Sequence, residues 1–159
     1  MPEHGLPEPS PTDPPSGLSW KPERLRVLVV DDERAMLETT VAILQSEYEV
    51  FGTTRPEEAL RLLQERPPHV LVTDWLMPSM DGIELSRTMF RLDLPTACLL
   101  MTGYMEELSE EVSFESRRLL GVLSKPYAPS QLLERVRELG NLAAMKMDAM
   151  KSSPRKRYG

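Results

Sequence analysis

The chain has 159 residues, 40 % of them hydrophobic, a formal net charge of −6 and one cysteine, Cys98. That length fits one domain plus tails, and a lone cysteine excludes an internal disulfide. No apolar run approaches bilayer length, and no charged stretch followed by an apolar one opens the chain, so neither a membrane span nor secretion is expected and a cytoplasmic place is.

Residues 1–24 carry prolines at positions 2, 7, 9, 11, 14, 15 and 22 among Ser, Gly and Thr. Proline at that density builds neither helix nor ladder, so a disordered leader is predicted, with Trp20 as the one residue suited to pack back onto a domain. From Leu25 the pattern alternates. Val27-Leu28-Val29-Val30 reads as a buried strand ending in Asp31-Asp32, followed by a helix over about 33–46 with Leu37, Val41 and Leu44 facing inward. Glu49 to Gly52 suggests a short strand. A second helix begins near Pro56, where proline fits the first turn, with Ala59, Leu60, Leu62 and Leu63 as its apolar face.

Val70-Leu71-Val72-Thr73 is a third strand, ending in Asp74, and a third helix after Gly82 buries Ile83, Leu85, Met89 and Phe90. Ala97 to Met101 forms a fourth strand ending in Thr102, on which Cys98 is a small core residue. The next segment, 105–118, is the least regular: Glu106, Glu107, Glu110, Glu111 and Glu115 crowd a weak pattern of Leu108, Val112 and Phe114, and like charges at helical spacing weaken a helix. Leu119 to Ser124 is a fifth strand ending in Lys125. Leu132, Val136, Leu139 and Ala143 mark a last helix. Strict alternation of five strands and five helices predicts an α/β, flavodoxin-like, doubly wound parallel sheet in the order 2-1-3-4-5. The domain is expected over 25–140, and 141–159 is expected to be a methionine-bearing helical extension with a basic disordered tail.

In an open parallel sheet ligands bind just outside the carboxyl ends of the strands, so Asp31, Asp32, Asp74, Thr102 and Lys125 should converge. Three crowded carboxylates repel unless a cation neutralises them, and all-oxygen ligation with few protein groups suits Mg²⁺. Lys125 and the Thr102 hydroxyl would serve an anion held there, which makes phosphoryl transfer the expected chemistry. Each residue alone has a simpler reading: Asp32 as the cap of the first helix, Asp81-Gly82 as a turn, Lys125-Pro126 as a strand exit.

Taken in order, Asp31-Asp32, Asp74-Trp75-Leu76-Met77-Pro78 with Asp81-Gly82, Thr102-Gly103-Tyr104 and Lys125-Pro126-Tyr127 make residues 25 to 140 resemble the receiver domain of two-component response regulators. The resemblance implies that Asp74 is the phosphoacceptor for a histidine kinase or phosphorelay donor. Asp31, Asp32, Asp74 and the backbone carbonyl of Leu76 would hold Mg²⁺, Thr102 would be the switch hydroxyl, and Lys125 would pair with the phosphoryl group. It also implies a cis bond at Pro126. Such a protein is not an enzyme acting on a separate substrate; it accepts and loses its own phosphoryl group. The aspartyl-phosphate phosphatase reading lacks a second Asp two residues after the nucleophile, where Leu76 stands.

Val122 departs from the family pattern, since the position three before the lysine is usually Tyr or Phe. The readout therefore rests on the fourth helix or on Tyr104, or else the chain is a phosphate-independent adaptor. Leu76 and Tyr104 flank the approach of water in the family, and their bulk predicts a long-lived phosphoryl state. Residues 25–145 hold 12 Lys plus Arg against 20 Asp plus Glu, net −8, and 146–159 hold 5 against 1, net +4. An acidic domain is not expected to bind nucleic acid directly. Expected partners are a kinase or phosphotransfer protein and a protein target at the face of the fourth helix, fifth strand and fifth helix. A homodimer is left open, as is whether the chain is a stand-alone receiver or the front of a longer regulator.

Overall fold

A strand sends alternate side chains to opposite faces, so an unbroken apolar run is what a strand covered on both sides requires. The computed structural model describes residues 24–107 and 119–151. Five strands, β1 (Arg26–Val30), β2 (Glu49–Thr53), β3 (Val70–Asp74), β4 (Ala97–Thr102) and β5 (Leu120–Ser124), pair in parallel in the order β2-β1-β3-β4-β5, and the edge strand β2 is the most exposed of them. The helices are α1 (Arg34–Gln45), α2 (Pro56–Glu65), α3 (Gly82–Arg91), α4, which opens at residues 105–107, and α5 (Pro129–Lys151). The expected glutamate-rich pattern of Leu108, Val112 and Phe114 lies outside the described residues, as do the proline-rich leader with Trp20 and the basic tail from 152 onward.

Alternation divides the core in two. Val27, Val29, Val70, Val72, Leu99 and Met101 pack against Leu37 and Leu44 of α1 and Leu132, Val136 and Ala143 of α5. Leu28, Val30, Leu71, Cys98 and Leu100 turn the other way, onto Ala59 and Leu63 of α2 and Ile83, Leu85 and Met89 of α3. Burying each such side chain contributes about 2 kcal/mol. Cys98 is fully buried, and burial pushes its thiol pKa far up, so it is a core residue as expected.

The chain leaves β1 for β2 on one side and returns across it to β3 on the other. That reversal opens a crevice at the carboxyl ends of β1 and β3. Helix starts follow local chemistry. Pro56 occupies the first turn of α2, and Asp81 with Glu84 closes a capping box at α3. Asp81-Gly82 is thus a helix start rather than merely a turn. Asp32 does not cap α1: the N-cap is Glu33, without a side-chain cap bond, and its amide is taken by Asp31 Oδ1 at 3.0 Å.

Gly140 does not end α5. A Cβ there would stand 2.5 Å from Leu25 Cδ1, so glycine lets the helix lie close against the entry to β1. The helix continues to Lys151 with Ala143 buried and Met145 67 % exposed. Next to Leu25, Arg24 donates to the carbonyls of Gln45, Glu47 and Tyr48, and the Tyr48 hydroxyl donates to Leu133 O at 2.9 Å, tying the connection between α1 and β2 to α5.

Candidate functional site

Four of the five strand-end residues meet where the fold puts its crevice. Asp74 is the last residue of β3, Asp31 follows β1, Thr102 ends β4 and Lys125 follows β5. Thr102 and Ser124 are register partners, and the Lys125 amide donates to Thr102 O at 2.8 Å. The lysine side chain reaches past β4 to donate to Asp74 Oδ1 at 2.6 Å. The Lys125–Pro126 bond is cis, as the resemblance implied.

Asp31 is 3 % exposed. Burial raises its pKa; the Glu33 amide and the Lys125 charge work against that, and the charges of Asp74 and Asp32 add to it. For Lys125 burial disfavours the ammonium, but the hydrogen bond and charge of Asp74, with the charge of Asp31, outweigh it and hold its pKa above the usual lysine value. The Thr102 hydroxyl is buried and accepts the Tyr104 amide at 2.8 Å.

Asp32 stands at the outer side of the pair, its charge acting on Asp31. It is exposed, and among the described residues no three acidic, histidine or cysteine side chains close around a point that could hold a metal ion. Like charges do not close up without a cation between them. The donor set nonetheless fits Mg²⁺: every available group is an oxygen, one carboxylate is buried beside a second, and Asp32 stands at the rim, which suits an ion that keeps several waters.

The loop after β3 is held from below. The Trp75 amide donates to Met101 O at 3.1 Å and the Gly82 amide to Trp75 O at 2.7 Å, while Thr73 Oγ1 donates to Asp74 O at 3.0 Å. A Cβ on Gly82 would lie 2.5 Å from that same Asp74 carbonyl and 2.8 Å from Leu100 Cδ2. Gly82 therefore sets how closely α3 approaches the site, a role its reading as a turn former missed. The Asp-x-x-Glu spacing was the signal for the cap; nothing in sequence signalled the contact with Asp74.

Leu76 and Tyr104 are exposed, at 51 % and 58 %, on the loops after β3 and β4. Val122 is half-buried and packs with the cluster under α2 and α3.

The chain matches the response regulator receiver domain family over residues 27–137. It is similar to the alkaline phosphatase synthesis transcriptional regulatory protein PhoP of Bacillus subtilis, with 31 % identity over 122 residues covering 72 % of this chain and 48 % of that protein. It is also similar to the response regulator MprA of Mycobacterium leprae, with 34 % identity over 118 residues covering 72 % and 50 %. Among solved structures it is similar to the chemotaxis protein CheY4 of Vibrio cholerae, with a TM-score of 0.62 and 26 % identity, covering 73 % of this chain and 98 % of that one. The chain spans about half the length of the two curated relatives.

Proposed function

Because this chain belongs to the response regulator receiver domain family of two-component systems, we propose that it is a phosphorylation-controlled switch whose acceptor is Asp74. The observation that carries this reading is the 2.6 Å pair between Lys125 Nζ and Asp74 Oδ1, formed across the sheet beside the buried Asp31. An Asp74 carboxylate oxygen attacks the phosphorus of a phosphohistidine on the donor protein. The new O–P bond forms as the P–N bond breaks, and the imidazole leaves with the electron pair and takes up a proton. Lys125 neutralises Asp74 before transfer and a phosphoryl oxygen after it; Thr102 turns its hydroxyl toward the same group. Asp31, Asp32, Asp74 and the Leu76 carbonyl hold Mg²⁺, which when bound neutralises charge on the transferring oxygens.

The switch acts by protein contact in the cytoplasm, through the face of α4, β5 and α5, without direct nucleic-acid binding. A ligand shifts a two-state equilibrium only by its differential free energy, which the lysine and threonine contacts provide. Relatives that are response regulators do not favour the phosphate-independent adaptor.

Acetyl phosphate with Mg²⁺ should add one phosphoryl group by mass to the parent and none to Asp74→Asn. In Trp20→Phe protein, Trp75 fluorescence should change saturably with Mg²⁺ and beryllofluoride; no change together with no mass gain overturns the reading. Replacing Leu76 and Tyr104 by small polar residues should hasten loss of the phosphoryl group, and unchanged decay would remove those side chains from any shielding role.

A further inference from the structure

Far from Asp74, at the amino end of the sheet, an open groove of about 230 Å³ lies where α2 fails to cover the edge strand β2. Its floor is apolar, formed with Phe51, Leu62 and Pro68. Phe51 is 56 % exposed there, although it pairs in register with the buried Leu28. A half-bare ring on a groove floor is apolar surface that a ligand would cover.

The rim has a distinct charge. Arg26, Glu65 and Arg66 stand around it. Glu65 is held by Arg61 through two hydrogen bonds of 2.9 and 3.0 Å, so its charge is already met. The Arg26 guanidinium donates to Pro67 O at 3.0 Å and is anchored at the rim. Arg66 is different: its backbone amide bonds Leu62 O, and no partner engages its guanidinium among the described residues. Among the described residues Arg66 is thus the groove cation whose guanidinium is left open, beside an apolar floor.

We propose that this groove is a binding site for a small amphipathic anion, an aromatic or aliphatic acid whose body lies on Phe51 and Leu62 and whose carboxylate or sulfonate pairs with Arg66. A guanidinium pairs well with such oxyanions, and its weak hydration lowers the cost of pairing beside an apolar floor. The site is separate from the phosphoacceptor and its occupancy does not require phosphorylation.

Titration of the full chain with 1-anilinonaphthalene-8-sulfonate tests this, because the probe joins an aromatic body to one anion. Saturable one-to-one binding with a blue-shifted emission is expected. Arg66→Gln should weaken it about tenfold and remove its salt dependence, and Phe51→Ser should weaken it further. Octanoate should displace the probe, whereas octanol of the same chain length should not. Both substituted side chains are exposed, and equal melting temperatures would exclude unfolding as the cause. Binding unchanged in Arg66→Gln, or displacement by octanol as effective as by octanoate, would overturn the proposal.

Discussion

At the amino end of the sheet the strand-entry backbone and Thr96 are met: the Arg26 amide donates to His69 Nδ1 at 2.9 Å, the His69 amide donates to Arg26 O, the Ala97 amide donates to His69 O, and Thr96 Oγ1 donates to Pro68 O at 2.6 Å. At the carboxyl end the buried Asp31 faces the Asp74 charge, its pKa raised chiefly by burial, with one backbone amide and a more distant lysine in partial relief. The first end lowers the free energy of the fold. At the second, the Asp31 charge is held against burial and a like charge beside it. Stability and site chemistry are thus segregated to opposite ends of the same strands, as expected when function is carried by groups that packing alone would reject.

Substitutions can break or sharpen that contrast. The largest effect is expected where the site rests on packing: Gly82→Ala places a methyl against the Asp74 carbonyl and should cost about 3 kcal/mol in urea denaturation. A loss below about 1 kcal/mol would mean that α3 retreats freely and does not position Asp74. Next comes His69→Phe, which keeps the bulk but strips the Arg26 amide of its acceptor. Leaving a buried amide unpaired should destabilise by about 2 kcal/mol.

The carboxyl end should respond with the opposite sign. Asp31→Asn removes a buried charge and its repulsion with Asp74 while keeping an oxygen for the Glu33 amide, so the metal-free protein should gain about 1 kcal/mol and bind Mg²⁺ at least about tenfold more weakly. The same residue sets a pH dependence. An acid whose folded pKa is raised binds its proton more tightly in the folded state, so its stabilising contribution is fully present below the unfolded value of 3.8 and is lost as pH rises through the folded value. Stability of the metal-free parent should therefore fall more than that of Asp31→Asn as pH rises above 3.8. Parallel curves would mean that Asp31 is not under strain. Lys125 acts at the other end of the scale: its raised pKa makes the contribution of its pair fully present below 10.5 and lost as pH rises through its folded value.

Much of this was legible beforehand because the relevant signals are local. Apolar runs of strand length, Pro56 at a helix start and polar residues closing each run suffice to place the elements and to put Asp31, Asp74, Thr102 and Lys125 at the strand ends. Burial separates the adjacent pair, with Asp31 buried and Asp32 exposed, and that difference is not legible in the sequence. The reason for a glycine at 140 inside a helix, the close approach of Leu25, is a contact between residues more than a hundred positions apart.

By itself the sequence determined the alternation of strands and helices, the division of apolar side chains between two faces and the identities of the charged groups at the carboxyl ends, since these depend on backbone periodicity and on chemistry already present in each residue. Only the tertiary structure decided that Lys125 reaches Asp74 rather than Asp31, that Gly82 lies against the Asp74 carbonyl, and that α2 leaves Phe51 half-bare beside an Arg66 whose guanidinium has no partner among the described residues. Those outcomes follow from distances between elements, which depend on how whole side chains pack rather than on any local pattern.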